Sequence, residues 1–148
     1  MNSIIIEEDN FDKARKKIRE NKGKEIIFSS NDDETNRKVL EKEVISILLL
    51  KQKGRKDRQK QRNSGLDLVM AKLAKKKEII IGIDYDEILD SLGNEKAEIL
   101  SRIKQNVKLC NKEKLKMKFI SVKNIKDEHG LKAFGLVLGM STGLVKDL

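Results

Sequence analysis

The sequence predicts an α/β domain of about five βα units with parallel strands. Three observations carry that prediction. Short apolar runs alternate with longer charged segments of helical period, which is the pattern of strands feeding crossover helices. The run VISILLL at 44–50 is apolar without alternation, as in a strand covered on both faces. The chain has 148 residues, a length that suits one domain, 1–148. Strand–helix–strand crossovers are right-handed almost without exception, so such units curl either into an open doubly wound sheet or into part of a barrel. Periodicity leaves both open.

The first unit pairs a strand at 3–6 with a helix from about Asn10 to Glu20, in which Phe11, Ala14 and Ile18 recur on one face and Gly23 follows as the stop. The second pairs 25–29 with a short polar helix at 33–42, introduced by Ser30 and Asp33 at capping-box spacing. After the third strand, 44–50, come thirteen residues, KQKGRKDRQKQRN at 51–63. A helix then opens with Ser64 as N-cap and Asp67 three residues later, and its apolar positions are Leu66, Val69, Met70 and Leu73. The fourth strand is expected at 78–84. The longest helix, capped by Asn94 and reaching about Lys112, carries the stripe Ile99, Leu100, Ile103, Val107 and Cys110. A fifth strand at 117–122 and a helix at about 126–138, with Leu131, Phe134 and Leu138 inward and Gly139 as breaker, close the series. Residues 141–147 add a further turn.

Composition narrows the function classes. Lys and Arg number 33 against 24 Asp and Glu, a net charge of +9, and the pI is about 9.6. That excess biases the chain toward polyanions, nucleic acid first. Four Phe, one Tyr and no Trp leave few aromatic platforms for stacking single-stranded bases. The single cysteine, Cys110, excludes an internal disulfide and a cysteine-rich zinc site and reads as a core residue of a cytosolic protein. No apolar stretch has the length of a membrane span or a signal-peptide core. The expectation is a soluble cytoplasmic protein without a membrane partner.

The loops after the C-terminal ends of the strands form one functional face in either architecture. The segment 51–63 places Lys51, Lys53, Arg55, Lys56, Arg58, Lys60 and Arg62 there against Asp57 alone, seven cations to one acid and a net +6. Lysine supplies point charge and arginine bidentate phosphate recognition, so this basic loop is the leading nucleic-acid contact. Arg37 and Lys123 are further candidates. The same face holds Glu7, Glu8, Asp9, Asp32, Asp33, Asp84 and Asp86. Such carboxylates could hold Mg²⁺ for phosphoester hydrolysis, but acids at these turns are expected more often as helix caps. His129 is the only histidine, so a histidine-rich metal cluster cannot be built. Neither a glycine-rich phosphate loop nor a nucleophile elbow occurs. Taken by themselves, the residues describe a basic α/β binding protein.

At 64–84, SGLDLVMAKLAKKKEIIIGID, the chain resembles archaeal ribonuclease P protein component 3, in which a helix opening Ser-Gly-Ile/Leu-Asp leads to a buried strand. Asn36-Arg37 is similar to the family's Asn-Arg pair, Ile88-Leu89 to its hydrophobic pair, Asn106-Val107-Lys108-Leu109 to its Asn-x-Lys-Leu segment, and Leu138-Gly139-Met140 to its closing Leu-Gly-Met. These matches keep the family's order from about Ile26 to Met140. Gly82-Ile83-Asp84 departs from the usual Glu-Ile-Asn, and Ser121-Val122-Lys123 from the usual Ser-Ser or Ser-Gly.

The resemblance implies a TIM-barrel-like fold, incomplete because family members carry a longer N-terminal portion. It also implies a subunit of ribonuclease P, the hydrolase and tRNA-processing endonuclease whose RNA, with Mg²⁺, cuts precursor tRNA at its 5′ boundary. The chain itself would carry no catalytic residue, metal or other cofactor. Its partners would be the ribonuclease P RNA, protein component 2, the other protein components and, indirectly, precursor tRNA. Two other readings are a stand-alone phosphoesterase using Asp32, Asp33, Asp84 and Asp86, and a general RNA- or ribosome-associated binding protein.

Overall fold

The computed structural model describes residues 2–57, 59–124, 127–146 and 148. Along the chain these form β1 (Ser3–Glu7), α1 (Phe11–Glu20), β2 (Glu25–Ser29), α2 (Asp33–Lys42), β3 (Ile47–Leu50), α3 (Leu68–Lys76), β4 (Ile80–Asp84), α4 (Tyr85–Asp90), α5 (Gly93–Glu113), β5 (Met117–Ile120), α6 (Glu128–Val137) and α7 (Thr142–Lys146). The strands make one sheet in the order β1-β2-β3-β4-β5, and every neighbouring pair is parallel.

That order decides between the two architectures. A doubly wound sheet reverses direction at its centre and carries helices on both faces. Here each crossover advances to the next position, and right-handed crossovers that all advance the same way place the helices on a single face. The result is an arc of a barrel, TIM-barrel-like but not closed.

Period-two alternation along the strands separates the two faces. Ile26 and Phe28, Leu48 and Leu50, Ile81 and Ile83, Met117 and Phe119 point into the main core, where Ala14, Ile18, Val39, Leu40, Ala71, Ile99, Ile103 and Val107 of the helices meet them. Ile27, Ile47, Leu49 and Ile120, with Ile80, form a second cluster that contains strand residues only. Gly82 lies in that inner layer. A Cβ there would stand 3.0 Å from Ile47 and 3.2 Å from Leu49, so a side chain at this position would be tight and would require its neighbours to give by a few tenths of an ångström.

Several boundaries differ from the sequence reading. The third strand is only Ile47–Leu50, because Val44 follows the end of α2 and is 85% exposed. The helix α3 starts at Leu68, with Asp67 and not Ser64 as N-cap; the Asp67 carboxylate accepts the Met70 amide at 2.8 Å, and Val69 faces solvent. The cap of α5 is Leu92, one residue before Gly93, in place of Asn94. The fourth strand starts at Ile80, the fifth ends at Ile120, and Val122 beyond it is 76% exposed. A short helix, α4, stands where the sequence showed only an apolar pair. The expected start of the last helix near Lys126 lies outside the described residues.

Other readings match the structure. Cys110 is buried, and burial pushes its thiol up to about 12. His129 is exposed near the start of α6, and Gly139 ends that helix with φ +98°. No helix among the described residues is long and apolar enough to cross a membrane.

Candidate nucleic-acid interface

All five strands run in parallel, so the segments that follow them gather at one end of the sheet. The basic loop leaves β3 there. Its described residues are tied at both ends, chiefly by side chains from α4 and α5. At its start, the Gln52 amide donates to Glu87 Oε1 at 2.6 Å and the Lys53 amide to Glu87 Oε2 at 3.3 Å. Burial pushes the Glu87 carboxyl up, against the pull of these amides and Lys51. At its end, the Ser64 carbonyl accepts from Gln52 Nε2 at 2.9 Å and from Asn106 Nδ2 at 3.1 Å, and Gln105 Nε2 donates to the Arg62 carbonyl at 2.8 Å.

Arg102 of α5 occupies the middle of the loop. Its Nε donates to Asp57 Oδ1 at 2.9 Å, one terminal nitrogen to the Gln52 carbonyl at 3.1 Å, and the other to the Arg55 carbonyl at 2.7 Å. The residue is 3% exposed. Hydrogen bonding from Arg102 is the main cause that holds the Asp57 carboxyl below the usual aspartate range, with the Asn63 amide and the charge of Arg62 assisting. The acid is thus kept ionised opposite a buried cation, the condition that makes such burial tolerable.

The candidate cations therefore divide into two groups. Arg55 lies inside, with only 10% of its side chain exposed, donating through Nη1 to both carboxylate oxygens of Asp33 at 2.8 and 2.9 Å and through Nε to the Lys51 carbonyl at 2.6 Å. It passes over Gly65, where a Cβ would stand 2.5 Å from the guanidinium and where φ is +82°. This accounts physically for the Ser-Gly-Leu-Asp stretch: a carbonyl that receives two amides, a glycine that clears Arg55, a buried leucine and a helix cap. Lys51 pairs with Glu7 at 2.7 Å. Partial burial works against its charge, but Glu7, with Asp84 and Glu87 nearby, raises its pKa. Arg62 pairs with Asp57 at 3.2 Å.

Lys53, Lys56 and Lys60 are exposed and make no ion pair among the described residues. Arg58 lies outside the described residues. Of the two candidates elsewhere, Arg37 is exposed on α2 and pairs with Glu41 at 3.2 Å, while its neighbour Asn36 is buried and donates to the Ser30 carbonyl. Lys123 is exposed at the far rim and pairs with Asp90 at 3.3 Å.

Beside the loop a cleft of about 640 Å³ opens over the concave face. Ile5, Leu49 and Ile120 line its floor, and Glu7, Lys51, Lys53, Asp84, Asp86, Glu87, Asp90 and Lys123 line its walls. Three of its carboxylates, on Asp84, Asp86 and Glu87, are committed to the fold. Asp84 caps α4 through the Glu87 amide at 3.3 Å, and burial raises its pKa. Asp86 accepts from the Ser121 hydroxyl at 2.6 Å, Asn124 Nδ2 at 2.7 Å and the amides of Val122 and Lys123 at 2.8 and 3.1 Å. Against its own desolvation, those four donors hold it far below the usual range. Asp32 accepts from the Thr35 hydroxyl at 2.7 Å, and Asp9 from Ser30 and the Asn31 amide. Among the described residues no group of three His, Cys, Asp or Glu is placed to hold a metal ion.

Sequence reasoning missed Arg102, Gln105 and Gln52. The available signal was spacing: Arg102, Gln105 and Asn106 are polar at i, i+3 and i+4, so they share a face interleaved with the apolar stripe of α5. Polar residues set beside a buried stripe have partners in another element.

No family model matches the chain. It is similar to Ribonuclease P protein component 3 from two strains of Methanococcus maripaludis, at 29% identity over 132 residues, 89% of this chain and 53% of each relative. The chain thus spans about half the length of the curated relatives it matches. Its structure is similar to a chain in a cryo-EM structure of archaeal ribonuclease P with mature tRNA, with a TM-score of 0.80 and 25% identity over 98% of this chain and 64% of that one. The resemblance read from the motifs is therefore borne out across nearly the whole sequence.

Proposed function

We propose that this chain is a protein subunit of ribonuclease P, the ribonucleoprotein that trims the 5′ end of precursor tRNA. The observation that carries the reading is the joint likeness in sequence and structure, reaching 89% and 98% of the chain. Bond breaking belongs to the RNA subunit and its Mg²⁺, and this chain's share is electrostatic. Lys53, Lys56 and Lys60, exposed on the basic loop, lower the repulsion between RNA phosphates so that the RNA reaches its active fold at modest Mg²⁺. Arg37 and Lys123 extend the cationic surface. Protein component 2 and the other protein components complete the cytoplasmic particle.

A stand-alone phosphoesterase has less support, because Asp32, Asp33, Asp84 and Asp86 already accept hydrogen bonds from the protein. Reconstitution tests the proposal. Precursor-tRNA cleavage by an archaeal ribonuclease P RNA with its protein components is expected to need less Mg²⁺ when this chain is added. An unchanged Mg²⁺ requirement and rate would refute the assignment. Recovery of mixed or ribosomal RNA with the purified protein would support a general RNA-binding module instead.

A further inference from the structure

We propose that Arg102 is the positioning residue of the basic loop: its buried fork onto Asp57 and the carbonyls of Gln52 and Arg55 fixes the shape in which Lys53, Lys56 and Lys60 meet a phosphate backbone. The inference rests on the RNA-binding reading above and adds to it a residue that touches no RNA itself.

The three acceptors of Arg102 all belong to one segment, 52–57, and its guanidinium is withdrawn from solvent. Core packing of α5 depends on other residues, since Ile99, Ile103 and Val107 supply its buried apolar face. A buried arginine is a poor device for global stability, because a well-packed apolar residue usually does as well. It is a good device for holding a loop. Carbonyls at 52 and 55, three residues apart, face one planar group with donors in fixed directions, and lysine has no such fork. Gln105 and Asn106, on the same face of α5, hold the loop's other end through Arg62 and Ser64.

The consequence for binding follows from entropy. A slack loop must be ordered when it meets RNA, and each residue so ordered costs conformational freedom. A loop already held in place avoids that cost, so its lysines bind more tightly for the same number of phosphate contacts. Loss of Arg102 should weaken binding without changing how many ions are displaced.

The test uses the whole protein, an archaeal ribonuclease P RNA transcript and four variants: Arg102→Gln, Arg102→Lys, Asp57→Asn and the triple change of Lys53, Lys56 and Lys60 to Gln. In Arg102→Gln, amide hydrogen exchange across 51–63 is expected to rise at least about tenfold while the strands keep their protection. RNA affinity should fall about tenfold with the slope against log salt unchanged. The triple variant should do the reverse, lowering the slope by about two units with loop exchange unaltered. Arg102→Lys keeps the charge but not the fork and should behave like Arg102→Gln; restored loop protection and affinity there would overturn the geometric argument. Unchanged loop exchange in folded Arg102→Gln would overturn the proposal outright. Should that variant fail to fold, Asp57→Asn decides from the solvent side: selective loosening of 51–63 supports the clamp, and normal protection refutes it. Failure of the wild-type protein to bind the transcript would refute the RNA-binding reading separately, since the exchange data judge the clamp without RNA.

Discussion

The basic loop and the acidic cleft occupy the same end of the sheet and use charge in opposite ways. In the loop, carboxylates serve arginines: Asp33 takes Arg55 and Asp57 takes Arg102 and Arg62, which leaves Lys53, Lys56 and Lys60 without ion pairs among the described residues. In the cleft, Glu7 and Asp90 pair with lysines, but three carboxylates serve the backbone and side-chain donors: Asp86 joins the turn after β5, Glu87 receives the start of the loop, and Asp84 caps α4. Density of charge in the sequence is therefore a poor guide to availability. What matters is whether a side chain's partner is part of the protein.

The largest effect expected is on the cleft side. Asp86→Ala strands four donors, two of them backbone amides, and should cost about 2–4 kcal/mol in urea unfolding. A cost under about 1 kcal/mol would mean that water replaces the carboxylate there. Next comes the seam between the regions. Gly65→Ala combines a strained φ with a Cβ 2.5 Å from Arg55, and should cost about 1–3 kcal/mol and raise exchange in the loop. Exchange that rises only within α3 would show that Arg55 is not displaced.

Smaller effects sharpen the contrast further. Asp84→Asn retains a capping side chain while removing a desolvated charge, so it should be neutral or stabilising by less than about 1 kcal/mol. A clear loss of stability would give Asp84 a role beyond capping. Acid titration should reveal both regions at once. Asp84 and Glu87 have raised pKa values in the folded protein, so the stability linked to them is present below their unfolded values and lost as pH rises through the folded ones. Asp57 and Asp86 have lowered values, so their stability is present above the ordinary aspartate range, about 4, and lost as pH falls below it. Stability should thus peak on the acid side of neutrality, measured by urea midpoints between about pH 3 and 8. The acid limb should shrink in Asp86→Asn and the limb toward neutrality in Asp84→Asn. The triple lysine change is the weakest perturbation of stability, within about 0.5 kcal/mol, because its side chains are exposed and make no ion pair among the described residues.

Much of this molecule was legible as a string of residues. Five apolar runs, each followed by a helical pattern, dictated the βα repeat, since a strand buried on both faces and an amphipathic helix have different periods and need no tertiary context to be told apart. The excess of lysine and arginine at 51–63 and the core role of Cys110 were equally plain. Only the folded chain decided which boundaries held, because Val44, Val69 and Val122 are apolar by composition but face water by position. It also chose the barrel arc over the doubly wound sheet, a matter of strand order that periodicity does not encode. Above all, it separated the arginines that hold the loop from lysines that are exposed and make no ion pair among the described residues. That separation depends on Asp33 and Arg102 arriving at the loop from distant parts of the chain, and distances between remote residues are set by packing, not by any local pattern.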